Sequence, residues 1–260
     1  MSTAALRTSA RRDTEARLPT LALGLLAGAD GSARVSGDPP TSGTVVTASV
    51  IGPVVLGGKW ENPERATVDV TCTPRTGQAT PLEKAWETLL QGLVERHVRL
   101  TALPRTTIQV AIHVRQDDGG ALAAAINATC AALVDAGVPM SGLFAAGTAA
   151  VLSTALNADV DQPRGGRILL DPDVKEEQDA LAVVTVAYPL SPLPAPGGDE
   201  GRAAGVPKST EVGGVLGMDV VGAVGVEDLL MATETVRVGV QTVGGHLRGA
   251  LVARAAAVVG

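Results

Sequence analysis

Aromatic residues are nearly missing from this sequence: its 260 residues include two tryptophans, one tyrosine and one phenylalanine. So few rings exclude an RNA-recognition sheet or oligonucleotide-binding barrel that works by stacking bases on side chains. Cysteine is as scarce. Cys72 and Cys130 are the whole complement, too few for a zinc site, and neither C-x-x-C nor H-E-x-x-H spacing occurs. Cys130 falls in an apolar helical pattern and reads as a reduced core thiol, which points to a reducing compartment. No run approaches the roughly 20 apolar residues that a membrane-spanning helix needs. The nearest, residues 142–158, is broken by Thr148, Ser153, Thr154 and Asn157. Net positive charge is lacking too. With 21 basic against 27 acidic residues the formal charge is −6, so no overall field draws in nucleic acid. Any RNA contact is then local, or made as one part of something larger.

What is present is apolar: 45% hydrophobic residues against 18% charged, enough to fold and to bury a sizeable core. Residues 1–17 read as a polar, mobile tail. Arg7, Arg11, Arg12 and Arg17 precede an apolar run, Leu18–Ala29, but Asp13 and Glu15 interrupt the basic stretch, so an extended lead-in to a first strand is favoured over a targeting segment. The β-branched run Thr44–Gly52 ends at Gly52-Pro53, and Ala66–Thr73 alternates with period two; both predict strands. Residues 81–99 change to helical spacing, with Leu82, Trp86, Leu89, Leu90, Leu93 and His97 expected on the packed face. Thr106–Val114 is a further strand. Leu122–Ala136 is apolar nearly all round and closed by Gly137 with Pro139 beyond, which predicts a central helix packed on sheets. Its Asn127-Ala128-Thr129 glycosylation triplet should therefore be buried. Strands are expected at Leu143–Leu152, Ile168–Asp171, Ala180–Leu190 and within 211–224, a Pro/Gly-rich surface insertion at 191–208, and a long final helix at Val226–Val258. Clustered strands favour an α+β fold over a doubly wound sheet, with residues 18–260 as one domain.

The usual catalytic constellations are absent. His97, His113 and His246 lie on unrelated elements, and no G-x-S-x-G, G-x-x-x-x-G-K-[ST] or strand–G-x-G-x-x-G–helix is present. One stretch is specific. Residues 103–137 read LPRTTIQVAIHVRQDDGGALAAAINATCAALVDAG and continue VPM to Met140. This resembles the RNase PH family, whose members carry a P-R-T…Q-A-D-G-G-T-R…A-L-A-D-A-G-(I/V)-P-M pattern. The ADGSA of Ala29–Ala33, Val50–Pro53, Glu83-Lys84 and the LLDPDVKEE of Leu169–Glu177 fall in family order. The resemblance implies two ββαβ-type halves of the ribosomal protein S5 domain 2 kind, with sheets packed around central helices, and assembly into six-membered rings.

Carried across residue by residue, the resemblance implies a dismantled site. Active members hold inorganic phosphate in a Gly-Gly-Thr-Arg loop, where backbone N–H groups, a helix N-terminus, a hydroxyl and a guanidinium converge on one anion. Here the loop reads Gly119, Gly120, Ala121, Leu122, so the glycines remain while the hydroxyl and the cation are gone. Of two acids expected about six residues apart, the first matches Gln178 or Asp179, and residues 180–187 supply no second. Thr88 and Gln91 stand near the positions where active members grip RNA with arginines. The candidates left for RNA contact are Arg75, Lys84 and Arg105.

Inactive members of the family are ring components of the eukaryotic RNA exosome, and the INAxxxALVDAGVPM helix most resembles the ribosomal-RNA-processing protein 46 type. The resemblance thus implies a chain with no catalytic residue, metal or cofactor. Its implied partners are sibling RNase PH-like ring subunits, S1/KH-type cap subunits, a hydrolytic nuclease and the RNA passing through, without membrane contact, in nucleus, nucleolus and cytoplasm. The rival expectation is a residual phosphorolytic or metal-assisted nuclease using Asp179 with Asp117 or Asp118.

Overall fold

Period-two alternation builds the first sheet. In a computed structural model, which describes residues 11–37, 43–55, 62–78, 80–152, 166–190 and 214–259, strands β1 (Thr20–Leu23), β2 (Gly31–Ser36), β3 (Val45–Val54), β4 (Thr67–Thr73) and β5 (Thr107–Gln116) lie in the order β1-β2-β3-β5-β4. Only the β4–β5 pair is parallel, and the helix α1 (Pro81–His97) makes the crossover that a parallel pair requires. One face carries the buried residues Ala33, Val35, Val46, Ala48, Val50, Val110 and Ile112, and the other is polar. The ADGSA stretch fixes a corner of this sheet. Asp30 Oδ2 accepts the Gly52 N–H at 2.8 Å, and the Ser32 N–H donates to Asp135 at 3.0 Å, tying β2 to the next helix.

That helix, α2 (Ala121–Asp135), is the buried axle anticipated from its composition: twelve of its residues are buried. It packs on β2 and β3 on one side and on β6 (Leu143–Leu152) on the other. Asn127 is 4% exposed and satisfies both ends of its amide on the Ala146 backbone, at 3.1 and 2.8 Å. Thr129 is wholly buried, its hydroxyl donating to the Ala125 carbonyl. The triplet is thus core, as expected. β6 belongs to a second sheet, β7-β6-β8-β9, formed with β7 (Arg167–Leu170), β8 (Ala182–Leu190) and β9 (Gly217–Gly222). A short helix α3 (Val174–Gln178) links β7 to β8, and α4 (Val226–Val259) covers β6, β7 and β8. The strand–strand–helix–strand order recurs in both halves, β3-β4-α1-β5 and β6-β7-α3-β8, and one continuous core joins them.

Two expectations need correction. The buried face of α1 is Leu90, Leu93, Val94 and His97, whereas Leu82 is 48% exposed and Glu83 is buried. The Glu83 carboxylate turns back to accept the Thr80 N–H at 2.6 Å, closing a capping box, while Leu82 stands beside Trp86 on an open cleft. His97 is a satisfied core residue, Nδ1 against the Leu93 carbonyl and its ring 4.9 Å from that of Phe144. The second correction concerns the tail read over 1–17. Residues 11–17 are fixed by ion pairs described below, while residues 1–10 and the 191–208 insertion lie outside the described residues.

Candidate active-site loop

Between β5 and α2 the chain turns through Asp117–Gly120. Gly119 and Gly120 both take positive φ, 90° and 66°, a region that side chains disfavour. At Gly119 there is a second reason for glycine: a Cβ there would stand 2.2 Å from the Pro172 carbonyl oxygen. The loop's N–H groups at residues 118, 119 and 120 are engaged internally. The Asp118 N–H donates to the Thr44 hydroxyl (2.9 Å), which itself donates to the Gly119 carbonyl (2.6 Å). The Gly119 N–H donates to Asp117 Oδ1 at 3.0 Å, and the Gly120 N–H donates to Glu177 Oε1 at 2.8 Å. Three successive N–H groups that could cradle an anion thus already serve the chain's own oxygens. Ala121 and Leu122 are 6% and 4% exposed and belong to the core.

Glu177 was missed by the sequence reading, which placed the corresponding acid at Gln178 or Asp179. A signal was available: Asp173 caps α3 and Glu176 closes the box on the Asp173 N–H at 2.9 Å, which sets the helical phase and turns Glu177 toward the loop. Burial, with the charge of Asp117 adding to it, outweighs the Gly120 N–H and raises the Glu177 carboxyl to about 7. Asp179 stays exposed at the end of α3. Gln178 joins Glu177, Asp117, Val183 and Thr185 around an open cleft of about 380 Å³, whose far wall is Leu82 and Trp86 of α1. β8 contributes no acid to it, as the sequence indicated. Its neighbour β9 does: Asp219 pairs with Thr185 across the ladder and lines the same cleft, its carboxyl raised by burial.

On the other side of the loop lies Arg17, from the segment expected to be loose. Its guanidinium donates to Asp171 Oδ2 and Oδ1 at 2.9 and 2.8 Å and to Asp118 Oδ2 at 3.1 Å, and comes within 3.4 Å of Asp173. Arg11 meets Asp173 at 2.5 Å. Asp171 sits at φ 52°, a left-handed conformation that lets both its oxygens face Arg17. Burial opposes the charge on Arg17, but the bond and charge of Asp171, with Asp173 and Asp118, outweigh it and raise its pKa. Asp118 is therefore tied to an arginine and stands apart from Asp179.

The three RNA-contact candidates are not brought to the loop. Arg75 is exposed in the turn after β4, Lys84 is exposed on α1, and Arg105 is exposed with φ 62°, its N–H bonded to the Asn62 carbonyl at 3.2 Å. None lines the cleft. The side chains of Thr88 and Gln91 donate within α1, to the Lys84 carbonyl and to Glu95.

Comparisons with known proteins place the chain among its relatives. Residues 15–139 match the pattern described as "3′ exoribonuclease family, domain 1", RNase PH. A relative from Arabidopsis thaliana named "Exosome complex exonuclease RRP46 homolog" is 34% identical over 208 residues, spanning 79% of this chain and 80% of the relative. A rice protein of the same name is 38% identical over 164 residues, 63% of this chain and 62% of its own length. The crystal structure of rice Rrp46 superposes with a TM-score of 0.75 at 28% identity, covering 94% of this chain and 99% of that one. The archaeal exosome core, at 17% identity and a TM-score of 0.67, shares the fold. The chain belongs to the RNase PH family.

Proposed function

We propose that this protein is a non-catalytic subunit of the hexameric ring of an RNA exosome, where it supports 3′-to-5′ processing and turnover of RNA, ribosomal RNA included. In this reading it pairs with a sibling RNase PH-like subunit, sits beneath S1/KH-type cap subunits, and helps lead RNA to a separate hydrolytic nuclease in nucleus, nucleolus and cytoplasm. The names of the Arabidopsis and rice relatives favour the exosome setting. One observation carries the non-catalytic half of the proposal: the N–H groups of residues 118, 119 and 120 are occupied by Thr44, Asp117 and Glu177. A phosphate would have to displace two carboxylates there, without the hydroxyl and guanidinium that active members supply.

One feature favours the enzymatic alternative. Glu177 and Asp219 line the same cleft, and a pair of acids suits proton transfer or metal-assisted attack. The deciding experiment uses labelled RNA with the chain alone and with the chain in a stoichiometric pair with the sibling that co-purifies with it. The expected outcome is stable pairing and no phosphate-dependent release of nucleoside diphosphates. Release that Glu177→Gln, Asp118→Asn or Asp179→Asn abolishes refutes the non-catalytic reading. A monodisperse monomer with no affinity for siblings refutes the ring.

A further inference from the structure

The cleft bounded by α1, α3, β8 and β9 is amphipathic. Its walls are apolar: Trp86 lines it, and so do Leu82 and Val221, which are 48% and 55% exposed. Its charges have one sign. Asp117, Glu177 and Asp219 line it, and among the described residues no lysine, arginine or histidine does. Arg11 and Arg17 stand on the other side of the loop, tied to Asp118, Asp171 and Asp173. Asp117 and Glu177 each give one oxygen to the loop, to the Gly119 and Gly120 N–H groups. Asp219 gives neither of its own. Half-buried, its carboxylate takes no hydrogen bond or ion pair among the described residues, and burial alone holds its pKa up. A carboxylate drawn partly out of water with no counter-ion carries a cost, and a cation entering the cleft removes it.

We propose that this cleft is a docking site for a partner protein, taking an arginine side chain of a basic segment between Trp86 and Asp219. Other occupants match it less well. Among the described residues no three acids stand close enough together to hold a metal ion, so the cation has to be an extended, organic one. The cleft's charge repels a nucleic-acid backbone. A free polyamine meets the acids but leaves Leu82 and Val221 uncovered, whereas the residues that flank an arginine in a protein segment cover them. A guanidinium suits each part of the site. Its planar fork pairs with Asp219, both of whose oxygens are available, its face stacks on the indole, and its aliphatic stem lies along the apolar wall. At about 380 Å³ the cleft falls in the range of pockets that enclose a small ligand, enough for one long side chain with its neighbours at the mouth. Glu177 and Asp117 add negative charge behind the contact. The inference goes beyond ring membership and stands whether or not the chain is a ring subunit.

The chain has two tryptophans, so the isotope-labelled full-length protein gives two indole N–H resonances, and Trp86→Phe assigns the one in the cleft. The probes, titrated in turn, are a capped peptide with arginine between two leucines, its lysine and glutamate counterparts, spermidine and a short oligoribonucleotide. The expected result is a saturable shift of the Trp86 resonance with the arginine peptide, a weaker one with the lysine peptide and none with the glutamate peptide. Asp219→Asn should weaken the arginine peptide about tenfold or more. Leu82→Gln, at an exposed position that the fold does not need, should weaken it as well. Asp179→Asn, which removes a charge from the end of α3 outside the cleft, should leave it unchanged. The urea midpoint of each variant reports whether the fold is intact. A response to spermidine or to the oligoribonucleotide without one to the arginine peptide overturns the proposal. So does equal affinity for the lysine or glutamate peptide, an arginine response unchanged in both Asp219→Asn and Leu82→Gln, or no response to any probe.

Discussion

Glu177→Gln isolates the cost of keeping a carboxylate against the α2 N-terminus. Glutamine has the same shape, and its carbonyl oxygen can still accept the Gly120 N–H that Glu177 takes at 2.8 Å, so the substitution removes the charge and little else. Burial raises the carboxyl from the ordinary 4.5 to about 7 in the folded chain. The folded state therefore binds the proton more tightly than the unfolded one. The stability this contributes is complete below pH 4.5 and is lost as pH rises through about 7. A shift of that size corresponds to roughly 3 kcal/mol in full, at about 1.4 kcal/mol per unit, and partial exposure of the group reduces it to the order of 2 kcal/mol. The assay is urea unfolding of both proteins at matched ionic strength, at about pH 5 and about pH 8. The glutamine variant should gain on the wild type by about 2 kcal/mol between the two conditions. A difference that does not change with pH refutes the claim that Glu177 is buried against the loop. A variant that loses ground at the higher pH refutes its sign.

Arg17→Gln leaves Asp118, Asp171 and Asp173 facing one another with Arg11 as the remaining cation paired to them among the described residues, and should cost about 2–3 kcal/mol in denaturant unfolding; a neutral result refutes a fixed N-terminal segment. Gly119→Ala forces a Cβ to within 2.2 Å of the Pro172 oxygen at a φ of 90°, so it should destabilise by at least about 1–3 kcal/mol, read as a lowered thermal midpoint, whereas Gly137→Ala, with open space around it, should cost less. Tyr188 is the sole tyrosine, and burial and the charge of Glu234 push its phenol up to about 12. Its ultraviolet titration should therefore fall above the ordinary 10 and coincide with alkaline unfolding, since the stability from the neutral phenol is lost as pH rises through about 12.

Where periodicity is strong, the residues themselves dictate the structure. The alternation at 66–73 becomes β4, and the all-round apolarity of 122–136 becomes a helix held between two sheets. Periodicity failed at the first turn of α1, where the capping carboxylate of Glu83 is buried and Leu82 of the apolar stripe opens onto a cleft. The candidate site was half legible. Gly119 to Leu122 could be placed residue by residue because the flanking motif matches without gaps, and the structure adds what fills the loop. Glu177 required the phase of a five-residue helix. Asp219 required the pairing of β8 with β9, a contact between positions 34 apart that leaves no local trace. Arg17 was misread for a similar reason: beside Asp13 and Glu15 it looks like a solvated tail, and the acids that hold it are more than 100 residues away.

That separation has a consequence for the order in which the molecule can be completed. Arg17 and Asp171 are 154 positions apart, so at about 5–20 residues per second the arginine leaves the ribosome roughly 8–30 s before its main counter-ion. All five strands of the first sheet, α1 and α2 lie before residue 136 and can pair in that interval. The second apolar side of α2 waits for β6, and the arginine waits for the turn after β7. A product halted ahead of β6 has an uncovered helix face, and of the three acids described around Arg17 it contains Asp118 alone. Closure of the Arg17 pairs thus follows β6 and β7 but precedes α3, β8, β9 and α4, which lie beyond Asp171, and any truncation ahead of Asp171 leaves Arg17 without its main counter-ion, a loosening that a protease can recognise.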